Sequence, residues 1–170
     1  DGVTYNDIPS ANGTILNINQ TAAHFYRLAA TCTATLLTGF SNPIQVNMNP
    51  VIACYCTPPT TDCSLDDVIL NVTVGTINNS STCSTNGYEN YSSTVLPTDL
   101  ISGTVVPISV EVGAGGTERV AVWVDYNQNG VFETTEFRNL GSGSGSVING
   151  NLMIPASATP GNTMMRVRVR

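Results

Sequence analysis

The feature that most constrains this chain is the spacing of its apolar residues between turns. "RVAVWVDY" at 119–126 and "MMRVRVR" at 164–170 place an apolar side chain at every second position, the period of a strand with one face buried. "VILNVTVGTI", "VPISVEV" and "SVINGNLMI" are runs of similar length, separated by Gly, Asn, Ser and Pro. No window sustains a helical period flanked by caps. Several short strands at this spacing predict β-sandwiches, so the expected fold class is all-β.

The chain is expected to divide at "NPVIACYCTPPTTDC", where consecutive prolines and clustered cysteines mark a domain entry. That gives one segment at residues 1–53 and another at 54–170. The first offers only "GTILNIN", "HFYRLAATC" and "PIQVNM" as strands, too few for the roughly seven of an immunoglobulin-like sandwich. "HFYRLAATC" followed by "SNPIQVNM" reads as the last two strands of such a domain. An apolar face on so small a sheet must be covered by something, so this segment is expected to act as a linker or as a strand donated to a neighbour.

Composition narrows the setting. Charged residues make up 11% of the chain, all six cations are Arg, and the net charge is −6. An acidic chain without a basic cluster argues against nucleic acid and against anionic membrane surfaces. No apolar run approaches the roughly 20 residues of a membrane-spanning helix. Thr, Ser, Asn and Gly carry the polarity instead, which suits a β-rich extracellular protein. Cys32, Cys54, Cys56, Cys63 and Cys83 lack zinc-ligand spacing, and His24 in a strand is expected to be half-buried and not a ligand. Disulfides are the expected use of the cysteines, with connectivity open and one of the five left over.

"VAVWVDYNQNGVFETTE" at 120–136 carries the chemistry. Asp125, Asn127 and Asn129 recur at alternate positions before Gly130, and Glu133 and Glu136 follow. A calcium ion takes six to eight oxygens, and alternate residues of a tight loop turn their side chains inward to supply them. Val131 would add its carbonyl, and Glu133 or Glu136 would close the shell, with Glu136 at position twelve. "NQNG" also suits a hairpin turn, but a plain turn needs neither the Asp-x-Asn-x-Asn ladder nor the carboxylates after it. With amides at two of its positions, such a site would bind Ca2+ weakly, around 10⁻⁴–10⁻³ M, as extracellular modules do. The expected role is to stiffen the strand exit beside the Gly-Ser run at 141–146.

"YCTPPTTDC", "VTVGTINNSSTC", "GYENYSSTV", "VWVDYNQNGVFETTEF" and "IPASATPGNTMMRVR", in that order, resemble the GEVED domain. The resemblance implies a β-sandwich module of secreted and surface-attached bacterial proteins, often set beside immunoglobulin-like repeats. Met164 stands where the family pattern has Arg, and the chain stops at Arg170 before the acidic strand that names the family. The expectation is therefore two immunoglobulin-like or jelly-roll-like sandwich units, neither complete within the chain. Either this sequence is a segment of a longer protein, or copies of the chain complete one another head to tail and build a filament.

Other chemistry finds less support. Asn12, Asn19, Asn71, Asn78, Asn79 and Asn90 each begin an Asn-x-Ser/Thr triplet, about as many as chance gives in so Asn- and Ser-rich a chain. Tyr88 and Tyr91, with Tyr55 and Tyr126, could line a glycan-binding face, though scattered tyrosines more often pack strands. Adjacent Asp66 and Asp67 suit turn or capping roles. With one His, no Lys and cysteines expected to be oxidised, no nucleophile–base pair is evident, so a non-catalytic role is expected. The leading expectation is a calcium-stiffened subunit of an extracellular filament or adhesin. An attachment module of a secreted hydrolase and a carbohydrate-binding module are the alternatives.

Overall fold

The computed structural model describes residues 4–49, 55–59 and 62–170. The chain falls into two compact units, Asp1–Pro50 and Val51–Arg170, and among the described residues every strand pairing is antiparallel. Among the described residues, no helix is long and apolar enough to cross a membrane.

The first unit is one irregular hairpin. Strands β1 (His24–Tyr26) and β2 (Ala29–Thr31) run outward, then β3 (Thr38–Phe40) and β4 (Ile44–Val46) return. β1 pairs with β4 and β2 with β3. At the step between them the Ser41 hydroxyl accepts the Leu28 amide, and Leu28 in turn accepts from the Ser41 amide. The expected strand at 13–19 does not form. That stretch is held near the hairpin by side chains, Gln20 donating to the Val46 carbonyl and accepting from Tyr26. His24 is exposed, not half-buried. A two-stranded ribbon has no second layer to bury its apolar residues, and Leu28 and Ile44 remain 68% and 67% exposed.

The second unit is a two-sheet sandwich. One sheet has the order β10-β7-β5-β6, from Val147–Met153, Val105–Val112, Ile69–Val74 and Ile77–Ser80. The other has the order β11-β8-β9, from Met165–Arg168, Glu118–Val124 and Phe137–Gly143. Alternation in β8 turns Val120, Val122 and Val124 inward against Val72, Val74, Ile108, Val110 and Val112 of the facing sheet. Each such side chain, fully buried, stabilises by roughly 1.5–3 kcal/mol. The strand β9 was not expected. Its Gly-Ser sequence still pairs with β8 through a register shift opposite Val120 and Ala121, so the run at 141–146 is partly ladder rather than loose chain.

Of the five cysteines, Cys63 and Cys83 form a disulfide with Cα atoms 5.5 Å apart. Cys32 and Cys56 are free and exposed, and Cys54 lies outside the described residues. The Cys32 thiol is held below its ordinary pKa by hydrogen bonds from the Thr35 side chain and from the Thr35 and Ala34 amides.

Candidate metal centre

Asp125 is the first residue past β8, and it is fully buried. Its backbone is pinned from the segment before β11, because its amide donates to the Met164 carbonyl and its carbonyl accepts from the Thr163 hydroxyl. The carboxylate is used asymmetrically. Oδ2 accepts from the Tyr55 hydroxyl at 2.6 Å and from the Gly130 amide at 2.8 Å. Oδ1 accepts only the longer bond from the Asn129 amide, at 3.2 Å.

The following residues coil tightly because their side chains bond their own backbone. Asn127 Oδ1 accepts from the Asn129 amide at 2.9 Å, and Asn129 Oδ1 accepts from the Val131 amide at 2.8 Å. These are Asx-turns, one after the other. Gln128 and Gly130 take left-handed backbone, with φ of 57° and 79°, which a glycine adopts without penalty. The Gln128 amide donates to the Thr159 carbonyl and anchors the loop tip.

The two acids at the end of the loop differ. Glu133 faces the amides, accepting from Asn127 Nδ2 at 3.0 Å and Asn129 Nδ2 at 3.2 Å. Glu136, in the 3-10 turn Thr134–Glu136, is buried and binds backbone. Its Oε1 accepts from the Tyr126 and Asn127 amides and its Oε2 from the Glu133 amide. Asp125, Asn127, Asn129, Glu133 and Glu136 thus all take part in the hydrogen bonding of one loop. Val131 contributes backbone only, its side chain being 58% exposed.

The candidate ligands are of the donor type that calcium takes. Every candidate ligand is an oxygen, and the partners described for the three carboxylates are all neutral. The electropositive NH2 groups of both Asn side chains are drawn to Glu133, in the manner of a weak cation. Among the described residues no three His, Cys, Asp or Glu side chains converge on one point. An ion held here therefore depends on the amide and backbone oxygens as much as on Asp125 and Glu133, and Glu136 serves to shape the loop.

A second set of contacts, with no counterpart in the sequence pattern, ties the loop to residues far away in the chain. The Tyr55 ring stacks on Phe132 at 5.0 Å, and the Arg166 guanidinium lies 4.5 Å over the Phe132 ring while donating to the Cys56 carbonyl. Tyr126 packs against the core, and its phenol is pushed up by burial. Two of the four tyrosines considered for a glycan face are thereby committed to packing. Of the glycan-acceptor triplets, Asn71 has its amide nitrogen bonded to Asn78 and Ser80. Asn79 is half-buried, whereas Asn12, Asn19, Asn78 and Asn90 are exposed.

The second unit is thus an all-β sandwich with an oxygen-rich loop at a strand exit. Within it, residues 119–170 match the family model of the GEVED domain, a domain of bacterial surface proteins. The matched span runs from β8 through the loop to β11. Comparison with curated proteins and with solved structures returns no match.

Proposed function

We propose that this chain is a non-catalytic structural subunit of an extracellular bacterial filament or surface adhesin, joined to its own copies by strand complementation and stiffened by Ca2+. The observation that carries the assembly reading is the uncovered first unit. Its hairpin leaves Leu28, Ile44 and Val46 exposed, and an apolar ribbon of this kind gains most by lying against the sheet of another molecule. The strand β11 at the edge of the second unit offers unpaired backbone for that purpose. A donor at one end and an acceptor at the other make a head-to-tail contact, which extends into filaments unless it closes.

The Cys63–Cys83 disulfide and the GEVED match support an extracellular setting. The loop at 125–136 supports the ion, with Asp125 Oδ1, Asn127, Asn129, the Val131 carbonyl and Glu133 as its ligands and Glu136 as their brace. Bound there, the ion would supply charge compensation and rigidity, and no reaction is assigned to it. Light scattering on the full chain over a range of concentrations tests the assembly. Polymers of mixed length are expected, reduced to single chains by Ile44→Asp together with Val46→Asp. A parent that keeps the mass of one chain throughout overturns the reading.

A further inference from the structure

A second acidic constellation lies at the opposite end of β8. Glu118 opens that strand on the inward-facing parity of Val120, Val122 and Val124, so its side chain enters the end of the sandwich. It is only 2% exposed, and its Oε2 is buried with no hydrogen-bond partner. A buried carboxylate oxygen without a partner is costly, and native structures rarely leave one without a bound proton, water or ion.

Its surroundings are negative. Asp67 lies within hydrogen-bonding reach of Glu118, and Asp66 adds charge from one residue further away. Burial first, then the Asp67 and Asp66 carboxylates, push Glu118 above its ordinary value. Asp66 itself is committed elsewhere, accepting from the Ala114 amide at 2.6 Å with a left-handed φ of 71°. This is the turn role its sequence context suggested. The same bond draws the glycine-rich loop at 113–116 over the acids. At Gly116 an added Cβ would sit 3.8 Å from Asp67 Oδ1 and 4.0 Å from Glu118 Oε1. Asp67 Oδ1 and Glu118 Oε1, from two separate elements, therefore approach the same glycine of that loop.

We infer that Glu118 and Asp67 hold a hard divalent cation, Ca2+ in an extracellular setting, at a site separate from the 125–136 loop. The two sites are separated by the seven residues of β8, about 23 Å of strand. A cation placed between the two carboxylates neutralises the repulsion and, by taking both oxygens of Glu118, gives Oε2 its missing partner. A proton shared by the pair would relieve the charge but could satisfy only one oxygen of each group. Water and backbone carbonyls complete the shell, as hard cations commonly require.

The test is a CaCl2 titration of the full 15N-labelled chain, followed through backbone amide shifts up to about 10 mM, tenfold above the weak end of extracellular sites. Saturable shifts are expected at Gly116 and its neighbours, independent of those at Asn129 and Gly130. Glu118→Gln and Asp67→Asn should each weaken the Gly116 response at least tenfold and leave the loop response intact. Asp67 is exposed, so its variant carries the test even if Glu118→Gln folds poorly. A parent with no shift at Gly116, or a shift untouched by both variants, overturns the inference. A parent that responds at Gly116 but not at Asn129 and Gly130 upholds it and overturns only the calcium reading of the loop.

Discussion

The Tyr55 hydroxyl donates a 2.6 Å hydrogen bond to Asp125 Oδ2 across 70 residues of sequence. That bond joins the segment entering the second unit to the first residue of the oxygen-rich loop. Asp125 Oδ2 thus carries both this bond and the one from the Gly130 amide, leaving Oδ1, with its longer bond from the Asn129 amide, as the freer oxygen.

Tyr55→Phe keeps the ring stacked on Phe132 and removes this bond together with the longer 3.5 Å contact to the Thr163 hydroxyl. A hydrogen bond to a charged group contributes about 1.5–3 kcal/mol, and Tyr55 is half-buried, so a loss near about 1.5 kcal/mol is expected in urea unfolding. An unchanged transition midpoint would mean that water replaces the hydroxyl without cost.

The same pair sets an alkaline limit. Burial, then the hydrogen bond to Asp125 and its charge, push the Tyr55 phenol from 10.0 up to about 12. The native state thus holds this proton more tightly than the unfolded chain does. The resulting stability is fully present below pH 10 and is lost as pH climbs through about 12. Phenolate absorbance, compared between the parent and Tyr55→Phe, should place this group last among the tyrosines. Asp125→Asn should lower its midpoint, and a Tyr55 titrating near 10 in the parent would contradict the arrangement.

The Cys63–Cys83 bridge spans a sequence separation of 20 and closes the β5–β6 hairpin between its flanks. A loop of that length stabilises by about 3 kcal/mol through restriction of the unfolded chain. The double variant Cys63→Ala/Cys83→Ala should lower the denaturation midpoint accordingly, whereas Cys32→Ser, at an exposed turn with a free thiol, should not. Equal effects of the two would show that the hairpin is stapled in some other way.

What the sequence disclosed, and what it hid, follows from range. β8 and the 125–136 ladder were legible because alternation and i, i+2 spacing are local signals, and the Asx-turns that build the loop are bonds between near neighbours. β9 was not, since "FRNLGSG" carries two glycines and no alternation; it becomes a strand because β8 presents a ladder to it. The strand expected at 13–19 failed for the converse reason, an apolar pattern without a backbone partner. Tyr55 and Arg166 reach the loop only through tertiary structure. Glu118 could have been noticed, because it shares the parity of Val120 and Val122, but its missing partner shows only in three dimensions.

Gly113 tests the roof over the acidic pair. Its amide donates to the Val68 carbonyl and its own carbonyl accepts from the Gly145 amide, so the backbone is fixed on both sides. An added Cβ would lie 2.1 Å from the Asp66 carbonyl oxygen, and a fixed backbone atom cannot yield as a flexible side chain does. Gly113→Ala should cost about 1–3 kcal/mol when unfolding is measured in EDTA. Gly116→Ala, whose nearest neighbour is 3.8 Å away, should stay within about 0.5 kcal/mol. Similar costs at both positions would mean that the loop relaxes as a unit.

Calcium binding at the 125–136 loop should appear as stability. A ligand bound only by the native state contributes RT ln(1 + [L]/Kd), about 1.4 kcal/mol at a tenfold excess over Kd. With a Kd near 10⁻³ M, that excess is about 10 mM Ca2+. Asp125→Asn and Glu133→Gln should each lose most of the increment, because each removes a carboxylate from the ligand set. Glu136→Gln should lower stability with or without calcium, since both of its oxygens hold backbone amides. Thermal unfolding in EDTA and in calcium separates the two roles. A calcium increment that survives in Asp125→Asn and Glu133→Gln would place the ion outside this loop.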